Sequence, residues 1–275
     1  MPRLIRAALE RAGIDNPDRV STGVDVIGDI AIVRLEGFSR REKRRIARSL
    51  MQDMKNIRAV FEQEGGIEGE LRLRKLKHLS GESRTLTVHR ENGCIFRVDV
   101  AKSYFSPRLS TERLRIVGLV GQKERVLNMF AGVGPYSVPI AKFAGAMVTS
   151  CEINDYAARL HEENNRLNKV EGLVSVVAMD AMDLPERAKL KFDRILMPHP
   201  SQANNFLPKA LRMAKKRGVI HYYRHVLGRD EGEAKDALRT ELSELLPPRS
   251  KYTIRKVREV GPRWLEMVAG VRLPP

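Results

Sequence analysis

The first third of the chain mixes short strand patterns with a basic helix. Residues 23–35 alternate apolar and polar positions, which predicts a β-hairpin that turns at Gly28-Asp29. A second polar turn lies at residues 90–93, and the strands predicted around it are 84–89 and 94–100. We therefore expect a small basic α+β domain over residues 1–120.

Residues 39–54 have apolar positions at helical spacing. Ser39 is a suitable N-cap, and Ile46, Leu50 and Met54 form one apolar stripe. The rest of the helix is basic, through Arg40, Arg41, Lys43, Arg44, Arg45 and Arg48. That surface is either a solvated face or a site for nucleic acid, and a second basic run follows at 72–77.

From Gly121 onward, apolar strand patterns alternate regularly with amphipathic helices. The predicted strands are 125–129, 146–151, 174–178, 192–197 and 218–223, followed by a closing pair at 251–259 and 264–272. The predicted helices are about 136–144, 155–167, 202–214 and 231–246. This order predicts an α/β fold of Rossmann type over residues 121–275, with a parallel sheet and a C-terminal antiparallel hairpin.

Charge narrows the class of partner. The 275 residues include 50 Lys and Arg against 34 Asp and Glu, a net charge of +16. A surplus of this size attracts polyphosphate when it is gathered on one face, and is otherwise a solvated basic surface. A hydrophobic content of 42% is ordinary for a globular protein.

Several classes of protein are disfavoured. Cys94 and Cys151 lie far apart and form no CxxC pair, and the six histidines show no metal-ligand spacing, so we expect neither a disulfide framework nor a metal. No apolar run resembles a signal peptide or a membrane span, and we expect a cytoplasmic protein without a membrane partner.

A glycine pair at a strand end indicates a nucleoside site. The strand at 125–129 leads directly into Gly132 and Gly134, and Glu152 follows at the end of the next strand, where a carboxylate can accept hydrogen bonds from ribose hydroxyls. A dinucleotide is disfavoured, because Ser137 replaces the third glycine and Pro135 lacks the N–H that a pyrophosphate needs.

Two further strand ends complete the predicted site. Asp180-Ala181 closes the third parallel strand, where Asp180 either contacts an adenine amino group or caps a helix. Pro198, His199 and Pro200 follow the fourth strand, at the edge where doubly wound enzymes keep their chemistry.

Three segments together resemble a known family. The stretch 104–116 (YFSPRLSTERLRI), the FAGVGPYS loop and the strand end Ile220-His221-Tyr222-Tyr223 are similar to the archaeal and eukaryotic tRNA (guanine-37-N1)-methyltransferases, from about residue 20 to the end. The resemblance implies an enzyme that uses S-adenosylmethionine, acts on tRNA next to the anticodon and is a monomer.

The resemblance also assigns roles to residues. Glu112 would be the general base that removes the N1 proton of guanine, and Arg72 would hydrogen-bond O6 of that base. The alternatives are a surface Glu112 paired with Arg115, and arginines Arg72 and Arg74 that face phosphates. Tyr104 would lie at the cofactor, or be an ordinary packing residue.

The complete predicted site has three groups. The catalytic residues are Glu112 and Arg72. The residues expected to bind S-adenosylmethionine are Tyr104, Arg108, Phe130, Gly132, Gly134, Glu152, Ile153, Asp180, Ala181 and Pro198. The residues expected to bind the tRNA base are Arg74, Tyr136, His199 and Pro200.

A sister family is similar over the same span, namely the wybutosine-pathway enzymes that transfer the aminocarboxypropyl group of S-adenosylmethionine to a tRNA base. The GVGPYS loop and the FSPRL segment favour the methyltransferase. The stretch before the first matching strand is short, which predicts that the extra N-terminal domain of many methyltransferases is missing. That prediction favours the sister family. A non-catalytic RNA-binding module is a third hypothesis, and a dinucleotide oxidoreductase is the least favoured.

The sequence departs from the family pattern at two places. Pro198-His199-Pro200 stands where the family has an asparagine, so either His199 substitutes as a polar contact or the base is positioned differently. Asn128 stands where the family usually has Asp, which removes a charge beside the glycine loop.

Overall fold

The computed structural model describes residues 2–14, 23–69, 71–184 and 191–275. The chain divides into two compact units, Met1–Thr111 and Glu112–Pro275. This division lies nine residues before Gly121, where the sequence rhythm changes.

The first unit is built on a mixed four-stranded sheet. Its elements are α1 (Pro2–Arg11), β1 (Asp25–Ile27), β2 (Ile30–Val33), α2 (Arg40–Asp53), β3 (Ala59–Glu68), β4 (Leu73–Gly81), β5 (Leu86–Glu91) and β6 (Cys94–Asp99). The sheet order is β1-β2-β3-β4, in which β2 and β3 are parallel and the other two pairs are antiparallel. Helix α2 is the crossover between the parallel strands, and β5 and β6 form a separate hairpin.

Helix α2 begins where the sequence predicts. Ser39 Oγ accepts a hydrogen bond from Glu42 N at 3.3 Å, and Glu42 Oε2 accepts one from Ser39 N at 2.7 Å, so both halves of a capping box are present. Ile46 and Leu50 are fully buried in the hydrophobic core of the first unit, beside Leu9 of α1. The helix is therefore held by its cap and by one apolar face.

The sequence patterns locate most of this unit but not all of it. The predicted hairpin (β1 and β2) and the predicted helix (α2) are confirmed. The turn after β5 is shorter than expected, because only Asn92 and Gly93 lie between the strands, both with positive φ (47° and 71°). Helix α1 and strands β3 and β4 were not anticipated. In β3 the buried Glu62 and Gln63 interrupt the apolar pattern, and Glu62 is buried because Lys43 of α2 pairs with it at 2.5 Å.

The second unit alternates strands and helices around one seven-stranded sheet. Its elements are α3 (Ser110–Val117, which begins two residues before the unit), β7 (Arg125–Asn128), α4 (Ser137–Pro139), β8 (Met147–Glu152), α5 (Asp155–Leu167), β9 (Val174–Ala178), β10 (Phe192–Met197), α6 (Ala203–Met213), β11 (Ala214–Leu227), α7 (Glu231–Leu245), β12 (Lys251–Gly261) and β13 (Trp264–Arg272). Helix α4 continues as a π-helical segment, Ile140–Ala144, which ends at Gly145 with φ 64°.

The sheet order explains where a ligand site forms. The strands lie in the order β12-β13-β11-β10-β7-β8-β9, with β11, β10, β7, β8 and β9 parallel and with β13 antiparallel to both β11 and β12. Successive strands extend from β7 towards β9 and then start again on the other side of β7 with β10. The crevice at this reversal, beyond the carboxyl ends of β7 and β10, is the preferred binding position of doubly wound folds. The predicted α/β fold with a closing hairpin is confirmed.

Among the described residues, no helix combines the length and the apolar character that crossing a bilayer requires.

Candidate functional site

The glycine loop lies at the reversal point of the second unit. It leaves β7 after Asn128, and Gly132 and Gly134 both adopt positive φ, 53° and 91°. A Cβ at Gly134 would lie 2.5 Å from the ring of His161 on α5. Glycine is therefore required at 134 both by the backbone conformation and by close packing of the loop on α5.

Buried hydrogen bonds hold the loop. Asn128 Nδ2 donates to Ser137 Oγ at 3.0 Å, and Ser150 Oγ donates to the same hydroxyl at 2.8 Å. Asn164 Nδ2 donates to the carbonyl of Val133 at 2.9 Å. Asn128 is fully buried, so the amide at this departure from the family pattern supplies a donor that an ionised aspartate lacks.

Glu152 joins the loop to the end of β8. Its Oε2 accepts a hydrogen bond from Gly132 N at 2.6 Å, and its Oε1 accepts one from Asn154 N at 2.9 Å. Burial raises the pKa of Glu152, and the two amide hydrogen bonds oppose that shift. The next residue, Ile153, is 39% exposed although it is apolar, which places an open hydrophobic surface beside the carboxylate.

The ends of β9 and β10 have different characters. Asp180 Oδ1 accepts a hydrogen bond from Met182 N at 2.8 Å and caps the 3-10 turn Ala181–Asp183, so the capping role is observed and the adenine contact stays a prediction. After β10, Pro198 is half-buried, whereas His199 and Pro200 are buried.

Aromatic packing surrounds His199. The rings of Phe130 and His199 lie 5.1 Å apart, and those of Phe130 and Phe206 meet edge to face at 4.9 Å. The structure thus brings the predicted residues Phe130 and His199 together, with His199 9% exposed.

Glu112 has a buried carboxylate with four donors around it. Its side chain is 2% exposed. Oε1 accepts hydrogen bonds from Tyr223 Oη at 2.7 Å and from Arg115 Nη2 at 2.6 Å, and Oε2 accepts from Arg115 Nε at 2.7 Å and from Arg255 Nη1. The pairing with Arg115 is observed as expected, but in the interior rather than on the surface.

Tyr136 and Tyr223 extend this cluster. Their rings lie 6.3 Å apart, and both residues are buried. Burial raises the pKa of each phenol far above its ordinary value, and the neighbouring Glu112 adds to the shift for Tyr223. Tyr223 therefore keeps its proton, which it donates in the hydrogen bond to Glu112. Tyr136, predicted to contact the tRNA base, packs inside the second unit.

The remaining predicted residues form two groups in the first unit. Arg72 has φ 53°, and its guanidinium carbon lies 4.2 Å from the centre of the Tyr104 ring, a cation–π contact. Arg74 and Arg108 both pair with Asp25, at 2.9 and 2.7 Å.

Arg74 is committed to the fold of its unit. Its guanidinium also donates to Gln63 Oε1 at 3.1 Å and to the Phe105 carbonyl at 3.2 Å. Burial alone raises the pKa of Asp25, but the ion pairs and hydrogen bonds with Arg74 and Arg108 outweigh it and leave that pKa below its ordinary value. The predicted base contact of Arg74 therefore competes with three internal partners.

Sequence reasoning missed three members of these clusters. Tyr223 belongs to a segment that the family resemblance singles out, but nothing in the local pattern indicates its role. Arg255 and Asp25 lie in alternating strands and carry no local signal. A cleft of about 670 Å³ at the β5–β6 hairpin, with Arg84, Arg90 and Arg97 on its wall, was also unexpected, and none of the predicted site residues lines it.

Comparisons with known proteins agree with this architecture. The model of the TRM5/TYW2 methyltransferase domain matches residues 87–241, and that of the TYW2 N-terminal domain matches residues 5–85. The chain is 43% identical over 202 residues to tRNA (guanine(37)-N(1))-methyltransferase Trm5b of Pyrococcus abyssi, covering 74% of this chain and 59% of that protein. The chain thus spans less than two thirds of that relative.

Two further proteins are similar to this chain over different shares of their length. The tRNA(Phe) (4-demethylwyosine(37)-C(7)) aminocarboxypropyltransferase of Pyrococcus horikoshii is 38% identical over 200 residues, which are 73% of this chain and 70% of that protein. The solved complex of aTrm5 and tRNALeu superposes with a TM-score of 0.83 at 32% identity, covering 94% of this chain and 74% of that one. Since the methyltransferase domain model covers more than half of the residues, the chain belongs to the TRM5/TYW2 methyltransferase family.

Proposed function

We propose that this chain transfers the methyl group of S-adenosylmethionine to N1 of the guanine at position 37 of tRNA. The observation that carries the proposal is the buried carboxylate of Glu112, because N1 of neutral guanine bears a proton that must leave before the nitrogen can attack a methyl carbon. The proposal also agrees with the name of the 43% identical relative.

The reversal point of the second unit fits S-adenosylmethionine. Glu152 is held by backbone amides where ribose hydroxyls would meet it, and the exposed Ile153 offers an apolar surface to adenine. When bound, S-adenosylmethionine supplies an electrophilic carbon on its sulfonium. Gly132 and Gly134 would let the backbone approach the ligand, and Pro198 would close the far side of the site.

The hydrogen bonds that Glu112 accepts limit when it can act as a base. A carboxylate has about four lone-pair positions, and Tyr223, Arg115 and Arg255 together direct four N–H or O–H groups at them. Glu112 therefore accepts a proton from guanine only when one donor withdraws. Arg255 is the candidate, since its side chain is 47% exposed, whereas Tyr223 is fully buried and Arg115 is bidentate.

The contribution of Arg72 is proposed from the family motif alone. A guanidinium donating to O6 would offset the negative charge that develops on the base as N1 is deprotonated. The contact with the Tyr104 ring orients the guanidinium without using its N–H donors.

We further propose a cytoplasmic location and tRNA as the macromolecular partner. The net charge of +16 suits a polyanionic substrate. Cys94 and Cys151 are buried as thiols, which suits a reducing compartment.

The test is to incubate the protein with unmodified bulk tRNA and S-adenosylmethionine and to identify both products by mass spectrometry. We expect S-adenosylhomocysteine and 1-methylguanosine, and we expect Glu112→Gln to lose both while the exposed Glu244→Gln keeps them. The absence of 1-methylguanosine from the wild-type reaction would refute the proposal.

Aminocarboxypropyl transfer is a second candidate, favoured by the match of residues 5–85 to the TYW2 N-terminal domain. It releases methylthioadenosine in place of S-adenosylhomocysteine. The same assay separates the two reactions when it is run both with unmodified tRNA and with tRNA that carries 4-demethylwyosine at position 37, the base in the name of the 38% identical relative. Cofactor binding without either product would instead favour a non-catalytic RNA-binding module.

A further inference from the structure

Helix α2 carries a row of exposed arginines. Arg40, Arg44 and Arg48 lie four residues apart, so they follow one another along a single face, about 12 Å from first to last at 1.5 Å per residue. Arg41 lies beside the row and is also exposed. Within the ranges that the structure describes, none of these four guanidiniums has a hydrogen-bond or ion-pair partner.

The other two cations of this helix are used by the fold. Lys43 Nζ pairs with the buried Glu62 of β3 at 2.5 Å, and Arg45 donates to the carbonyl of Ala12. The cations of the helix therefore differ by the face on which they lie. Those that reach the core and its border have partners, whereas those of the row do not. The row is thus a separate feature of the molecular surface.

The row opposes the stability of its own helix. Arg40 and Arg41 place positive charge in the first turn, where the helix dipole favours negative charge. Like charges four residues apart repel one another, which applies to Arg40 with Arg44 and to Arg44 with Arg48. Glu42, the acidic residue of the first turn, is engaged in the capping box. Positions that break a local rule without a gain for the fold point to function.

We propose that the row formed by Arg40, Arg44 and Arg48 is a docking surface for the phosphate backbone of RNA. Guanidinium groups bind phosphate oxygens in bidentate fashion, and a straight row of them matches a polyanion whose charges repeat along a line. Naming the RNA as tRNA rests on the function proposed above. The surface itself rests on the charge, exposure and spacing of the row.

The experiment compares two triple variants that lose equal charge. Arg40→Gln/Arg44→Gln/Arg48→Gln removes the row, and Arg229→Gln/Lys235→Gln/Arg239→Gln removes three cations of the second unit that are each ion-paired with an acidic neighbour. Binding of fluorescent unmodified tRNA is measured against salt concentration. The slope of log K against log salt is negative, and each lost phosphate contact reduces its magnitude by about 0.7 to 0.9. We therefore expect the magnitude to fall by roughly 2 to 3 in the row variant and to stay unchanged in the control.

Further measurements keep the result interpretable. We expect the row variant to unfold at the same temperature as the wild type or slightly higher, because repulsion is relieved. If it fails to fold, Arg44→Gln alone is expected to reduce the magnitude of the slope by about 0.7 to 0.9. Equal slopes for the row and control variants would overturn the proposal, even if the wild type methylates tRNA. A slope of reduced magnitude without methyl transfer would instead support the docking surface and reject the proposed reaction.

Discussion

At position 134, both the backbone conformation and the packing of a neighbouring side chain require a glycine. Its φ of 91° is unfavourable for any side chain, and its missing Cβ leaves room for the ring of His161. We expect Gly134→Ala to lower the free energy of unfolding by about 2–5 kcal/mol, because backbone strain and overpacking add. Chemical denaturation would measure this loss, and calorimetry would show weaker binding of S-adenosylmethionine.

Two further variants test the cause of that loss. Gly172→Ala, at a glycine with no atom within 4 Å of the added Cβ, should change stability little. If His161 is the obstacle, Gly134→Ala should cost less stability in the His161→Ala background than in the wild type. Equal costs in the two backgrounds would assign the effect to the backbone alone.

Arg255 is the donor proposed to withdraw from Glu112 before proton transfer. In Arg255→Gln the buried carboxylate loses this cationic donor, so the proposed withdrawal is no longer needed. We therefore expect kcat for methyl transfer to stay at the wild-type value or to rise. Lys256→Gln removes an equal charge from the same strand, where Lys256 pairs with Glu259, and should leave kcat unchanged. A large loss of kcat in Arg255→Gln would contradict the proposed withdrawal of this arginine.

At the scale of elements, the capping box of α2 is a testable contribution to folding. Ser39→Ala removes the acceptor for Glu42 N, and we expect the free energy of unfolding to fall by about 1 kcal/mol. Thermal unfolding monitored by circular dichroism would measure the change. Ser243→Ala, at an exposed position within α7, should have a smaller effect, and the reverse order would contradict this account of the helix start.

The same scale shows why some elements were predictable and others were not. Apart from α3, the strands and helices of the second unit lie within a few residues of their predicted bounds, because apolar strand patterns and amphipathic helical patterns are local to each segment. Strand β3 escaped prediction because Glu62 is buried through a partner on α2, a contact that no local pattern contains. A buried charge with a distant partner erases the periodic signal of its own strand.

At the scale of the whole molecule, two buried histidines make stability depend on pH. Burial lowers the pKa of His161 to about 3, and burial together with Arg194 and Arg115 lowers that of His221 to about 3, against 6.5 for an ordinary histidine. The folded state therefore excludes a proton that the unfolded state binds. The stability from each histidine is fully present above pH 6.5 and is lost as the pH falls towards 3.

The lowered pKa values of these histidines predict a measurable dependence of the free energy of unfolding on pH. Between about pH 6 and pH 4, each histidine should lower the free energy of unfolding by up to about 1.4 kcal/mol per pH unit. His221→Gln keeps an acceptor for Arg194, and it should reduce the dependence of the free energy of unfolding on pH by the contribution of one histidine, as measured by urea titrations. A pH dependence equal to that of the wild type would show that the fold does not lower the pKa of His221.

The amino-acid order alone is enough to predict the α/β class, the closing hairpin, the glycine loop and the acidic residue at the end of β8. Each is a local property, set by the period of buried positions or by residues that a single turn requires. The family resemblance, also present in the sequence, placed Glu112 among the candidate residues.

The groups that surround those residues become known from the folded chain. Tyr223 and Arg255 reach Glu112 from 111 and 143 positions further along the chain, and Arg74, expected at the substrate, is occupied by Asp25, Gln63 and the Phe105 carbonyl. Periodicity specifies only the face on which a side chain lies. The hydrogen bonds and ion pairs that it makes depend on which helices and strands the fold brings together.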